Sequence, residues 1–123
     1  MTGSWRSASF DDLQSYIRES EPRMNEREAQ FWAITRILPT KWACSPYGDE
    51  GGGFWVVAVF GNQVVWYNDI EDGFNCSRYS DYGAIDGYVC EQGDLRDAIY
   101  SVLTAHEGEL AGRSGAPSPV PTG

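Results

Sequence analysis

The chain is short of histidine, of cysteine motifs and of cations in its second half, and it holds no long apolar run. Each shortage excludes something. The longest apolar run, Phe54–Phe60, is far too short to cross a bilayer. The opening MTGSWRSASFDD has neither the basic start nor the apolar centre of a secretion signal. Cys44, Cys76 and Cys90 form no CxxC pair, and their odd number argues against a disulfide framework. With His106 as the one histidine, the ligand spacing of a zinc site is also missing. The expectation is a cytoplasmic protein of a reducing compartment, with no metal and no cofactor.

The charge is present but segregated. Residues 1–48 hold six acids (Asp11, Asp12, Glu19, Glu21, Glu26, Glu28) against six bases, which balances. Residues 49–97 hold ten acids against only Arg78 and Arg96, an excess of eight within a net charge of −9. Such a field repels nucleic acid and anionic membrane and steers cationic partners. Neither nucleic acid nor membrane is therefore an expected partner.

Local patterns predict an α+β domain. Ser9 caps a first helix whose apolar stripe is Phe10, Leu13 and Ile17, ended near Pro22. Asn25 and Glu28 form a capping-box pattern for a second helix, with Phe31, Ile34, Thr35 and Leu38 as its core stripe, Trp32 at the margin and Pro39 as its stop. A Gly61–Asn62 turn between FWVVAVF and QVVWYND reads as a two-residue hairpin. Strict alternation then puts Trp55, Val57, Val59, Val64 and Trp66 on one face, the expected core, and Phe54, Val56, Ala58, Phe60, Val65 and Tyr67 on the other. That second face needs a cover: the chain's own helices, another protein, or a second copy docking on Phe54, Val56 and Phe60. GFNCSRYS reads as a third strand and Ile85–Cys90 as a short further one. A last helix follows Gly93, capped near Asp94, with Leu95, Ile99, Val102 and Leu103 buried and His106 at its C-terminal dipole. Residues 1–106 form one domain on this reading, an antiparallel meander of three to five strands between two N-terminal helices and one C-terminal helix. Residues 107–123, rich in Gly and Pro, form a flexible tail.

Several chemistries fail on their own requirements. Aligning Gly73 with the invariant glycine of an EF-hand puts Ile70 at loop position three and Tyr79 at twelve, where neither can bind calcium. The run Gly51–Gly53 follows Asp49 and Glu50 and leads into a strand, the wrong sign and context for a phosphate loop. A carboxylate-dependent hydrolase or small-ligand site using Asp69, Asp72, Asp81 or Asp86 is an alternative. It requires at least one of them buried in a closed pocket with its pKa raised. A homo-oligomeric structural module is a further alternative.

The leading reading is a non-enzymatic binding protein. Tyr67, Asp69, Glu71, Asp72, Phe74, Asp81 and Tyr82 mix aromatic anchors with acids, the combination by which interfaces obtain affinity and fast association. The block GGGFWVVAVFGNQVVWYNDIEDGFN resembles a stretch found in small, uncharacterised bacterial proteins. In size, acidity and element order the chain is similar to immunity proteins that neutralise bacterial toxins. That resemblance implies a basic protein partner such as a toxin or nuclease.

Overall fold

The computed structural model describes residues 7–115, with 108–115 as backbone only. Helix α1 spans Phe10–Ser20 and, after a 3-10 turn at Glu21–Arg23, α2 spans Glu26–Thr35. Strands β1 (Arg36–Trp42), β2 (Phe54–Phe60), β3 (Gln63–Asn68) and β4 (Gly73–Arg78) follow, then α3 (Leu95–Gly115). The strands pair in sequence order as one antiparallel sheet, and the fold is α+β.

Each helix starts where its local chemistry predicts. Ser9 Oγ accepts from the Asp12 N–H and Asp12 accepts from the Ser9 N–H. Asn25 and Glu28 exchange the same pair of bonds at 2.8 and 2.9 Å, and Asp94 and Asp97 do so at the start of α3. Such reciprocal caps satisfy N–H groups that have no partner inside a helix.

The second helix departs from expectation. It ends at Thr35 and the chain passes directly into β1, so Pro39 lies in an edge strand. Proline tolerates that place, and it biases the residue before it toward an extended backbone. Ile34 and Leu38, expected in the core, are 78% and 77% exposed. The buried stripe is Glu28, Trp32 and Thr35, spaced at four and three residues. Polar bonds turn that face inward: Arg96 Nε donates to Glu28 Oε1 at 3.0 Å, and Trp32 Nε1 donates to Glu21 at 2.9 Å.

The hairpin forms as predicted, with Phe60 opposite Gln63 and Val59 opposite Val64. A β-bulge then interrupts β2. Ala58 pairs with Val65, but Val56 pairs with Trp66, leaving Val57 as the extra residue. One extra residue reverses the facing of everything before it. Phe54 and Val56 therefore pack with Val59, Val64 and Trp66, while Trp55, Val57, Ala58 and Phe60 pack with Val65 and Tyr67. The strictly alternating faces expected from the sequence are corrected accordingly.

Both sheet faces are buried. Leu13, Ile17, Trp32, Leu95, Ile99 and Val102 from the helices cover the Val57–Val65–Tyr67 face. Residues 43–53 and 79–90, a loop layer, cover the other, where Cys44 and Ile85, with Trp42 at the end of β1, close over Phe54, Val64 and Trp66. Residues 85–90 form no strand. Their neighbourhood is held instead by single bridges at Ala43–Ala84 and Phe74–Gly93. The face set down for self-association does not exist as one surface. Phe54 and Val56 are fully buried under the loop layer, and Phe60 lies on the helix side against Phe31 and His106.

α3 continues to Gly115, through part of the stretch read as tail; residues 116–123, the remainder of that stretch, lie outside the described residues. His106 is thus inside the helix and not at its end, edge-on to Phe60 with ring centroids 4.7 Å apart. No helix among the described residues is long and apolar enough to cross a membrane.

Candidate functional site

The seven residues read as one surface fall in three places. Tyr67, Asp72 and Phe74 border a cleft of about 400 Å³ between α1 and the β3–β4 turn, with Tyr16, Glu19 and Arg23 on its other side and Gln92, Gly93 and Asp94 at its end. Tyr67 and Phe74 are buried and form the floor, their ring centroids 4.9 Å apart. Tyr16 stands 5.1 Å from Tyr67. The Tyr67 hydroxyl donates to Asp72 Oδ1 at 3.3 Å, and burial together with the neighbouring Asp72 charge holds that phenol well above its usual pKa. Asp72 adopts a left-handed backbone with φ 59°, a conformation that Asp and Asn accept more readily than most residues. Glu71 is half-buried in the same turn, its N–H bonded to the side chain of the buried Asn68.

Asp69 occupies a second place, at the start of the described chain. Its Oδ2 accepts from the Ala8 N–H at 2.7 Å, and the Ala8 carbonyl accepts from Trp55 Nε1 at 2.9 Å. Lys41, the chain's one lysine, donates to Ser7 Oγ at 2.7 Å and to the Gly51 carbonyl at 2.6 Å, with its ammonium 5.0 Å from the Trp55 ring centroid. Burial pushes the Asp69 carboxyl up, opposed by the Ala8 N–H and by Lys41; burial pushes Lys41 down, opposed by Asp69. A lysine beside a serine is also the nucleophile pair of some hydrolases. Here the ammonium is used as a donor, and the nearby N–H groups of Gly51, Gly52 and Gly53 already bond to the Gly48 and Asp49 carbonyls. They leave no oxyanion donor in that glycine run and no cradle for a phosphate. The arrangement is a latch that fastens Ser7 and Ala8 to the sheet. The hydrolase alternative asked for a buried acid in a closed pocket; Asp69 is buried, but it faces this latch.

The latch carries a pH signature. A carboxyl whose folded-state pKa exceeds its unfolded value binds its proton more tightly when folded, so its stabilising effect is present at low pH and lost as pH rises through the folded pKa. Asp69→Asn removes that titration while keeping an acceptor for Ala8. Urea unfolding between about pH 7 and about pH 4.5 should show the parent gaining stability relative to Asp69→Asn as pH falls. A gap that stays constant, or moves the other way, would show that Asp69 is not destabilised by its burial.

Asp81 and Tyr82 lie in the third place, on the loop layer across the sheet from the cleft. Tyr82 rests on the buried Trp42 ring, centroids 4.6 Å apart, yet is 71% exposed. Tyr47 stacks on Tyr88 at 4.0 Å and 19° and is also exposed. Residues 43–53 and 79–90 contain Asp49, Glu50, Asp81 and Asp86, all exposed, and no lysine or arginine. Tyr47 was missed in the sequence, although it sits beside Asp49 and Glu50 in the same aromatic-plus-acid pattern that singled out Tyr82. Tyr16 and Glu19 carried no such signal, because only the fold brings α1 to the β3–β4 turn.

Cys44 is buried and Cys76 half-buried, and burial pushes both thiols up, away from the reactive thiolate; Cys90 is exposed. Among the described residues no three His, Cys, Asp or Glu side chains converge to hold a metal ion. Comparison with protein-family models, with curated proteins and with solved structures returned no match for this chain.

Proposed function

We propose that this chain is a non-enzymatic acidic binding protein that docks a basic protein partner, such as a toxin or nuclease, through its loop layer. The observation that carries the reading is the loop layer itself: four exposed carboxylates (Asp49, Glu50, Asp81 and Asp86), no cation, and two exposed tyrosines seated on the buried Trp42 and the half-buried Tyr88 rings. The two kinds of residue have different tasks. An exposed ion pair contributes only about 0–1 kcal/mol, so the acids chiefly raise the association rate. Affinity rests on Tyr82 and Tyr47, whose rings are already held in place and lose little freedom on binding.

The test is affinity capture from the source organism's lysate at low and high salt, followed by binding kinetics with the captured partner. Glu50→Lys/Asp81→Lys should slow association and flatten its salt dependence, whereas Tyr82→Ala should speed dissociation. Glu26→Lys, on the exposed side of α2, serves as the control for charge alone. Loop-layer variants that bind like the parent, or a loss of binding equal to that of the α2 control, would refute this docking surface.

A further inference from the structure

We infer that the cleft between α1 and the β3–β4 turn binds a single protonated amine or guanidinium group carried on a short alkyl stem. This site lies on the helix side of the sheet and does not rest on the docking reading. Its volume of about 400 Å³ is in the range of small-ligand pockets, roughly 300–1,000 Å³. Its floor is aromatic: Tyr67 and Phe74 are buried side by side, and the Tyr16 ring forms the adjacent wall. Ring faces of this kind accept an alkyl stem by burial and a cation by its attraction to the π-cloud.

The charges lining the cleft select the sign. Glu19, Asp72 and Asp94 line the cleft with one cation, Arg23. Arg23 is already committed, its guanidinium 2.6 Å from Asp94. Asp72 receives only the neutral Tyr67 hydroxyl, and neither Glu19 nor Asp72 belongs to any of the ion pairs among the described residues. Two carboxylates thus stand outside any ion pair among the described residues, beside an aromatic wall. An anion entering there meets repulsion from both, whereas a monocation meets one or two charge-assisted hydrogen bonds and a ring. The Tyr67 phenol, held protonated, is a neutral part of that wall.

The test is an amide-resolved NMR titration of the whole chain with n-butylguanidinium chloride. Saturable shifts should appear at Gly73, Gln92 and Gly93 and be absent with n-butanol, which has the same stem without the charge. Asp72→Asn keeps a residue type that accepts the left-handed backbone, and Glu19→Gln changes an exposed position; each should weaken binding about tenfold, the loss of one charge-assisted hydrogen bond. The source of the cation is read in the same experiment. A blocked Gly-Arg-Gly peptide binding more tightly than n-butylguanidinium identifies a side chain presented by a polypeptide, and spermidine binding more tightly than either identifies a free polyamine. No saturation by any of these cations, equal shifts with n-butanol, or unchanged affinity in the Asp72→Asn/Glu19→Gln double variant would overturn the inference.

Discussion

Replacing Trp66 by alanine should cost about 3–5 kcal/mol, the usual range for truncating a large buried aromatic. Against a total stability of about 5–15 kcal/mol for a domain of this kind, that is enough to bring the chain near its unfolding limit. Trp66 is fully buried at the centre of the loop-side core, with Phe54 at 4.8 Å. Its Nε1 also donates to Ser77 Oγ at 3.0 Å, and Ser77 donates onward to the Gly87 carbonyl at 2.8 Å. The ring thus fills the core and anchors residues 79–90 at once. Trp66→Phe keeps most of the ring stacking and loses the indole bond together with part of the ring volume, for about 2–3 kcal/mol. Urea unfolding of both variants measures the difference, and hydrogen exchange at 79–90 reports whether the loop layer loosens. If Trp66→Ala loses no more than Trp66→Phe, packing under the loop layer is not what holds it down.

The second large effect is expected at Gly53. Its φ of +105° lies where side chains are strained, and a Cβ there would stand 2.3 Å from the Trp42 carbonyl oxygen and 2.9 Å from its carbon. Those atoms are backbone in the last β1–β2 pair, Trp42 opposite Phe54, and cannot rotate aside. Gly53→Ala should therefore cost about 3 kcal/mol or more, summing a strained φ and an overlap that must move a strand. Gly52 supplies the comparison: its φ is +76°, but nothing lies within 4 Å of an added Cβ. Gly52→Ala should lose only the conformational part, about 1–2 kcal/mol. Thermal unfolding of the pair isolates the overlap, and equal losses would mean that β1 and β2 separate easily at this end.

The two tests address the same structural point from different sides. The sheet is covered by helices on one face and by irregular chain on the other, and the docking surface we propose sits on the irregular layer. Trp66 and Gly53 are where that layer is tied to the strands, so their variants also ask how rigidly Tyr47 and Tyr82 are presented. A rigid presentation is what makes exposed aromatics effective anchors.

What could be read from the amino acids alone was whatever depends on near neighbours. Ser9 with Asp12 and Asn25 with Glu28 bond across three residues, and Gly61–Asn62 turns the chain within two, so their partners are adjacent in sequence. The α+β class, the order of its elements and the acidity of the second half follow from the same local information. The extra residue at Val57 left no local mark, because a bulge is chosen by what both sheet faces need to bury, and it reversed the expected facing of Phe54 and Val56. Trp32 displaced Ile34 from the core for a similar reason: Glu28 must reach Arg96, sixty-eight residues away. The acids and aromatics of residues 67–82 looked like one cluster because they are close in sequence. Strand pairing and the layers above and below it sent Tyr67 and Phe74 to the floor of a cleft, Asp69 to the latch, and Asp81 and Tyr82 to the opposite side. Successive residues of a strand point to opposite faces, and turns change direction again, so proximity along the chain does not become a shared surface until distant segments have packed.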